Sequence, residues 1–546
     1  MCGIWAHVTC NSNDGNNIAE ELVSKLIPRG PEGTRIQKLD NRVTFGFTRL
    51  AINGLNEEGM QPFTKESVTW ICNGEIYNSK DIKRSLGLND DGSDCACIGD
   101  LYIRHRQDIY SFLRSLDGVF GLVLYDAELS LLIVARDPYG LRPVFIGKHQ
   151  SGTYISSELK GLPVGCDVVR PVLPGTYEIY DTNSENLMKS SKYHTIPWVL
   201  SPIYNPSEST LAKNDASTHL RLALEEAVLK RMLTERPVAA LLSGGLDSSL
   251  IAALVQNNLL NVGAPRLKTF SIGFEGSSDL KHARIAADWI NSEHTEIVMT
   301  PDEFFDAIPV VIKAIESYDR TTVRASVGNY LVAKYISEHS DCKVVFNGDG
   351  SDEVFGGYLY FNNAPTDMDF HRETERLLEN IHSFDVLRSD RSISANGLEA
   401  RTPFLDKQFV ALVRSIHPSL LRPVPGVQVE KEILRYAFDD DITLPPEVIH
   451  RRKEAFSDGV SGVNKSWYEE IQERVIKCVP HDWKEQSQNI QHMKPLTAED
   501  FYYRQLFNQF YPGDQNMVAT VPYRWMPKWS PETTDPSART LNVYST

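Results

Sequence analysis

Two short stretches carry residue types that could do chemistry. The first is Ser243-Gly244-Gly245-Leu246-Asp247-Ser248-Ser249, which follows the apolar run Val238-Ala239-Ala240-Leu241-Leu242 and precedes a pattern in which Leu250, Ile251, Leu254 and Val255 recur at helical spacing. Strand, glycine-rich loop and helix in that order present backbone N–H groups and a positive helix end to an anion, so the loop suits a phosphate. Ser248 or Ser249 would cap the helix. No lysine precedes the serine pair, which excludes the Walker A loop. Asp247 puts a carboxylate beside the anion, an arrangement that calls for a cation such as Mg2+ between them.

The second is Cys2. A side chain that small permits removal of Met1, and cysteine would then carry the free α-amine of the mature chain. That amine titrates near ~7.7–8.0 and can take the thiol proton, so nucleophile and base share one residue. Arg49-Leu50-Ala51-Ile52-Asn53 supplies a guanidinium suited to a carboxylate. Cys72-Asn73-Gly74-Glu75-Ile76-Tyr77-Asn78 sets a side-chain amide beside a glycine N–H. From local sequence that pair is equally an oxyanion hole or a type I′ hairpin turn. A third stretch, Asn347-Gly348-Asp349-Gly350-Ser351-Asp352-Glu353, follows the strand-like Lys343–Phe346. In a parallel sheet it would lie at the same carboxyl edge as Ser243–Ser249. It is not an EF-hand loop, because Asp352 stands where the sixth-position glycine belongs.

These residues must be positioned by two kinds of architecture. Residues 1 to about 190 hold eight short apolar runs separated by turns: Ile4–Val8, Val43–Phe47, Val68–Cys72, Gly121–Tyr125, Leu131–Ala135, Val144–Ile146, Tyr154–Ser156 and Thr176–Tyr180. Helical spacing is confined to Ile18–Ile27 and Ile98–Leu116, so helices should cover sheets. A proline-containing stretch ending in Asn205-Pro206-Ser207 reads as a linker. Beyond it helices alternate with the buried strands Val238–Leu242, Lys268–Ile272 and Lys343–Phe346, which predicts a parallel sheet. The division expected is 1–195 and 206–546. The tail from Gln515 reads as a surface wrap or a disordered end.

Composition narrows the function. The chain has 546 residues, 41% hydrophobic and 23% charged, with a net charge of −16, which argues against general nucleic-acid binding. No apolar stretch approaches the length of a membrane span. The N-terminus has no signal-peptide character, so a cytoplasmic, reducing setting is expected and disulfides are not. Cys95-Ala96-Cys97 lacks the spacing of a zinc site and reads as buried small hydrophobes.

In their order along the chain, Cys2-Gly3-Ile4, Arg29-Gly30-Pro31, Arg49-Leu50-Ala51, Asn73–Asn78, Arg136-Asp137, Ser243–Ser249, Gly350–Glu353 and the Pro536–Thr540 tail resemble the glutamine-hydrolysing asparagine synthetases, over nearly the whole chain. The resemblance implies an α+β N-terminal-nucleophile glutaminase, an αββα sandwich, followed by an α/β ATP-pyrophosphatase domain with a parallel sheet. It implies a carbon–nitrogen ligase with glutamine as nitrogen donor. Cys2 would be the nucleophile, with Asn73 and Gly74 as the oxyanion hole. Arg49 would hold the glutamine α-carboxylate and Asp94 its α-ammonium, with Leu50, Ala51, Ile52, Asn53 and Glu75 lining the pocket. ATP would meet Leu242, Ser243, Gly244, Gly245, Asp247, Ser248, Ile272, Asn347, Gly348 and Lys453, with Mg2+ on Asp247 and Asp352. Thr321, Thr322 and Arg324 match the segment that receives aspartate.

The implied partners are small molecules, with a homodimer left open. Pro28 and Glu32 replace the family's usual His and Asp around Arg-Gly-Pro, and Ala96 stands where an acidic residue is common. Asp349 replaces a glutamate thought to serve acyl transfer. Two alternatives therefore remain: a related amide-forming ligase, such as a β-lactam synthetase-like enzyme, and a catalytically weakened homologue acting as sensor or scaffold.

Overall fold

A computed structural model describes residues 1–9, 16–197, 202–205, 211–454, 456–462, 465–512, 515–530 and 535–537. Pro206 and Ser207 of the expected linker, and Ala538–Thr540 of the tail, lie outside the described residues.

The first half is built on two six-stranded antiparallel sheets. One places Gly3–Val8 between Val43–Arg49 and Gly152–Ser156; the other centres on Val68–Ile76, Gly118–Asp126 and Leu131–Arg136. Alternation along each strand decides the layers. Ile4, Ala6, Phe45, Ile71, Val123 and Val134 point into the space between the sheets and form one core. Trp70, Cys72, Leu122 and Ile133 point the other way, onto the helices Ile98–Arg104 and Ile109–Ser115. On the opposite side Trp5 and Tyr154 pack against Ala19, Leu22 and Val23 of the helix Asn16–Ser24. The result is helix, sheet, sheet, helix. The single helix expected over Ile98–Leu116 is two, separated by residues 105–108, with Asp108 capping the second through the Ser111 N–H at 3.1 Å.

The second half contains a five-stranded parallel sheet in the order Glu293–Val298, Lys268–Gly273, Val238–Leu241, Val344–Phe346, Glu399–Arg401. Val238–Leu241 and Val344–Phe346 are neighbours, with Ala240 opposite Phe346, so the loops that follow them emerge side by side at the carboxyl edge.

The described part of the tail is docked rather than loose. Met517, Val518 and Val521 are buried, and Asp535 pairs with Arg320 at 3.2 Å and with Arg324 at 2.8 Å.

Candidate active sites

The Cys2 pocket is assembled from three strand ends and one loop. Cys2 precedes the strand Gly3–Val8; its Sγ accepts from the Leu50 N–H at 3.4 Å and faces the Leu50 carbonyl at 3.6 Å. Arg49, Leu50, Ala51, Ile52, Asn53, Gly74, Glu75 and Asp94 line the same cavity of about 30 Å³, the scale of a single water. The Arg49 guanidinium donates to the Asn56 carbonyl at 2.8 Å and to the Gly54 carbonyl, which folds the 50–59 loop over the site.

Asn73 and Gly74 lie inside the strand Val68–Ile76, paired with Gly121 and Phe120. The hairpin-turn reading is thereby removed. Asn73 shares its strand face with Ile71 and Glu75, is fully buried, and neither its Nδ2 nor its Oδ1 has a hydrogen-bond partner among the described residues. Buried amides are normally satisfied; this one has a donor that no described residue takes up. Gly74 has no room for a side chain, since a Cβ would sit 2.7 Å from Phe120 Cα.

The pocket is electrostatically tense. Burial raises Asp94 and Glu75 above the usual carboxylate range, and for Glu75 the neighbouring Asp94 adds to it. A substrate ammonium would add positive charge beside Asp94, while Glu75 already faces Arg401 at 3.4 Å. Asp94 accepts the Ile76 N–H at 2.7 Å and Glu75 accepts from Asn53 Nδ2 at 2.7 Å. In the chain bearing Met1, burial pushes the Cys2 thiol up to about 11 and the terminal amine down to about 6. Glu32, one methylene longer than the family's usual residue, accepts the Ala51 N–H at 2.7 Å and pairs with Arg236. The departure is used to hold the loop at Ala51.

The second cavity, of about 240 Å³, lies at the carboxyl edge of the parallel sheet. Leu242, Ser243, Gly245, Asp247, Ser248, Ile272, Asn347, Gly348, Asp349, Asp352 and Lys453 all line it. Gly244 does not. Its role is conformational: at φ +70 it turns the loop against His282 and Ala283 where no Cβ fits. The helix Leu246–Asn261 is capped by Gly245, not by a serine; Ser248 Oγ instead accepts the Ser243 N–H at 3.2 Å and ties the loop closed. Gly348 brings the two loops together, since a Cβ there would lie 2.8 Å from the Ser248 nitrogen.

Asp247 accepts from Ser351 at 2.8 Å, and Lys453 pairs with Asp352 at 2.6 Å. Two lysines hold Asp352 below its normal range against a burial penalty. Among the described residues no cluster of three or more His, Cys, Asp or Glu could hold a metal alone. Asp247 and Asp352 do fit an ion that shares its shell with phosphate oxygens, the usual manner of Mg2+.

Of the aspartate-side residues, Thr321 and Thr322 line the cavity and Arg324 does not. Arg324 is buried and saturated, held by Glu499 at 2.8 Å and 2.5 Å and by Asp535 at 2.8 Å and 2.9 Å. Thr322 spends its hydroxyl on Asp319, the cap of its own helix, at 2.9 Å. Thr321 Oγ1 is buried without a partner among the described residues, so it is the polar atom of that segment left for a ligand. Sequence reasoning missed Lys431, Glu353 and Arg388, which line the second cavity, and Glu399, which lines the Cys2 pocket. Only the Glu353 position lay in a stretch already marked by its composition.

One chain thus joins a thiol pocket to a cleft at the carboxyl edge of an α/β sheet. The glutamine amidotransferase domain model matches residues 1–198, and the asparagine synthase model matches 219–369 and 362–538. Glutamine-hydrolysing asparagine synthetases from Rattus norvegicus and Homo sapiens are 39% and 40% identical to it, over 569 and 567 aligned positions, covering 100% of this chain and 99% of each relative. The relative from Gallus gallus is 39% identical with the same coverage. These define a two-site ligase of the glutamine amidotransferase class. The chain belongs to the glutamine-hydrolysing asparagine synthetase family. No described helix is long and apolar enough to cross a membrane.

Proposed function

We propose that this chain makes asparagine from aspartate, taking nitrogen from glutamine and activating the acceptor with ATP. The observation that carries this is the pairing of Cys2 and the unpartnered Asn73 amide with a separate cavity built from Ser243–Ser249 and Asn347–Glu353. In the mature chain the Cys2 thiolate attacks the glutamine amide carbon. Asn73 Nδ2 and the Gly74 N–H take the developing oxyanion, ammonia leaves, and water resolves the thioester to glutamate. Arg49 and Asp94 fix the two ends of the substrate.

In the second cavity the aspartate side-chain carboxylate attacks the α-phosphorus of ATP, giving β-aspartyl-AMP and pyrophosphate. Ammonia then displaces AMP, and Asp349 takes the proton as the C–N bond forms. Asp247 and Asp352 would hold Mg2+, whose chemistry is to neutralise phosphate charge. Ser243, Gly245 and Ser248 orient the phosphates and Thr321 meets aspartate. The full-length match to the family favours this acceptor over that of a related ligase.

Purified protein given ATP, aspartate and glutamine should yield asparagine, AMP and pyrophosphate in equal amounts. ADP and inorganic phosphate in that stoichiometry would overturn the adenylation step, and no asparagine at all would favour a sensor or scaffold. Cys2→Ala should lose glutamine-dependent synthesis and keep the ammonia-dependent reaction.

A further inference from the structure

Lys431 is placed with unusual insistence for a residue outside every motif. It stands just before the helix Glu432–Ala437 with φ +57 and ψ +25, a left-handed conformation that residues with a side chain rarely hold. Its side chain is 2% exposed, and Nζ lies 2.6 Å from Asp247 Oδ2 and 2.6 Å from Asp352 Oδ1. A third feature points to the same atom. Gly357 has no space for a Cβ, which would overlap Lys431 Cε and Asp352 Oδ1. A strained backbone, a missing side chain and the burial of a four-carbon arm all serve to set one ammonium between two carboxylates from different loops. Buried lysines persist only when paired, but pairing alone needs one carboxylate, and Asp352 already has Lys453 at 2.6 Å.

We propose that the Lys431 ammonium stands in for the metal between Asp247 and Asp352 until nucleotide arrives, and then becomes a ligand of the pyrophosphate portion. This rests on the reading of those two aspartates as the metal carboxylates. With the lysine between them the cleft is charge-balanced and a bare divalent ion gains little by entering. Nucleotide brings its own anionic oxygens, which complete the metal shell and give the displaced ammonium a partner. Metal and nucleotide therefore enter together, and the pyrophosphate product is held by Lys431 as well as Lys453.

The test is Mn2+ binding to the full-length protein without nucleotide, followed by electron paramagnetic resonance, together with pyrophosphate titration in the presence of Mn2+ by calorimetry. Lys431→Met should bind Mn2+ at least 10-fold more tightly than wild type and pyrophosphate at least 10-fold more weakly. Lys431→Gly accepts the left-handed backbone without strain and should behave the same way, which guards against a misfolded Met variant. Adding Asp247→Asn and Asp352→Asn to either variant should erase the gain in Mn2+ affinity.

Unchanged Mn2+ affinity in both Lys431 variants would overturn the stand-in role. Unchanged pyrophosphate affinity would overturn the ligand role. Should Asp247→Asn with Asp352→Asn in the wild-type background bind Mn2+ and ATP as wild type does, the metal reading itself fails and the proposal falls with it.

Discussion

Arg401, on the last strand of the parallel sheet, sets its Nη2 3.4 Å from the Glu75 carboxylate, on the strand that also carries Asn73. Its Nε pairs with Glu399 at 2.6 Å, and Nη1 donates to the carbonyls of Arg231 and Leu233 at 2.8 Å and 3.2 Å. One residue of the second half thus closes the back of the Cys2 pocket. Arg401→Met would leave Glu75 and Glu399 buried without their cation, and the expected cost is about 3–5 kcal/mol. Denaturant unfolding of the variant measures it. Glutamine KM should rise as well, because Glu75 loses the charge that opposes its protonation.

Asn73 makes the opposite prediction for stability. Its amide has no partner to lose among the described residues, so Asn73→Ala should unfold within about 1 kcal/mol of wild type. Glutamine hydrolysis should fall by about 10²–10³ in kcat with KM little changed, the expected result of removing one oxyanion donor. A large fall in stability with intact hydrolysis would make Asn73 a structural residue only.

The role proposed for Asp349 in acyl transfer can be tested directly. Its carboxyl is half-buried and held above its normal range, chiefly by loss of solvation, which suits a group that must accept a proton. From sequence, Gly348 and Gly350 could let the backbone move to offset the shorter arm. The structure removes much of that freedom: Gly348 abuts Asp247 and Ser248, and Gly350, at φ +90, is pressed against Leu405. Asp349→Ala and Asp349→Asn should lose most synthesis while glutamine hydrolysis persists, and Asp349→Glu should retain activity. Assaying the two half-reactions separately decides it, and full synthesis by Asp349→Ala would remove the carboxylate from the mechanism.

Acid should weaken the fold through a buried histidine. Burial, then the neighbouring Arg414, holds His371 down to about 4, and Arg414 Nη2 lies 2.8 Å from its Nε2. The unfolded ring titrates near 6.5. Below that pH the unfolded chain gains a proton that the folded chain refuses until about 4, so stability is complete above 6.5 and is lost as pH falls toward 4. His371 is buried, so its share is on the order of 2–3 kcal/mol. His371→Gln should narrow the gap between denaturant midpoints at pH 7.5 and pH 5.

The strands visible in the sequence are those at sheet centres. Each of the eight apolar runs of the first half and the three of the second became a strand. The six that went unread, Gly33–Lys38, Phe63–Lys65, Val168–Pro171, Leu187–Lys192, Glu293–Val298 and Glu399–Arg401, are the two edges of each of the three sheets. An edge strand has one bonded neighbour and often a wet face, so it carries polar residues and no apolar signature. The site shows a similar division. Cys2 and the two loops announce themselves by residue type and spacing, whereas Lys431 sits in Glu430-Lys431-Glu432 and looks like any charged helix start. Arg324 was misjudged for the converse reason: sequence neighbourhood put it beside Thr321, but Glu499 and Asp535, which consume its charge, are distant in the chain.

The junction between the halves has a consequence for how such a protein can be rearranged. Arg29 reaches Glu158 at 2.9 Å and Asp390 at 2.8 Å, Arg142 meets Asp390 at 3.2 Å, and Glu316 takes the backbone N–H groups of Leu159 and Lys160 at 2.8 Å and 2.9 Å. Arg29, Arg142, Glu158, Glu316 and Asp390 are all buried. Cutting the chain at its linker would part Arg29 and Arg142 from Asp390, and Glu316 from its backbone donors, each in a low-dielectric wall suddenly turned to solvent. The halves are therefore not interchangeable modules. A grafted glutaminase would need this whole lock of charges rebuilt, which ties the two active sites to a common inheritance.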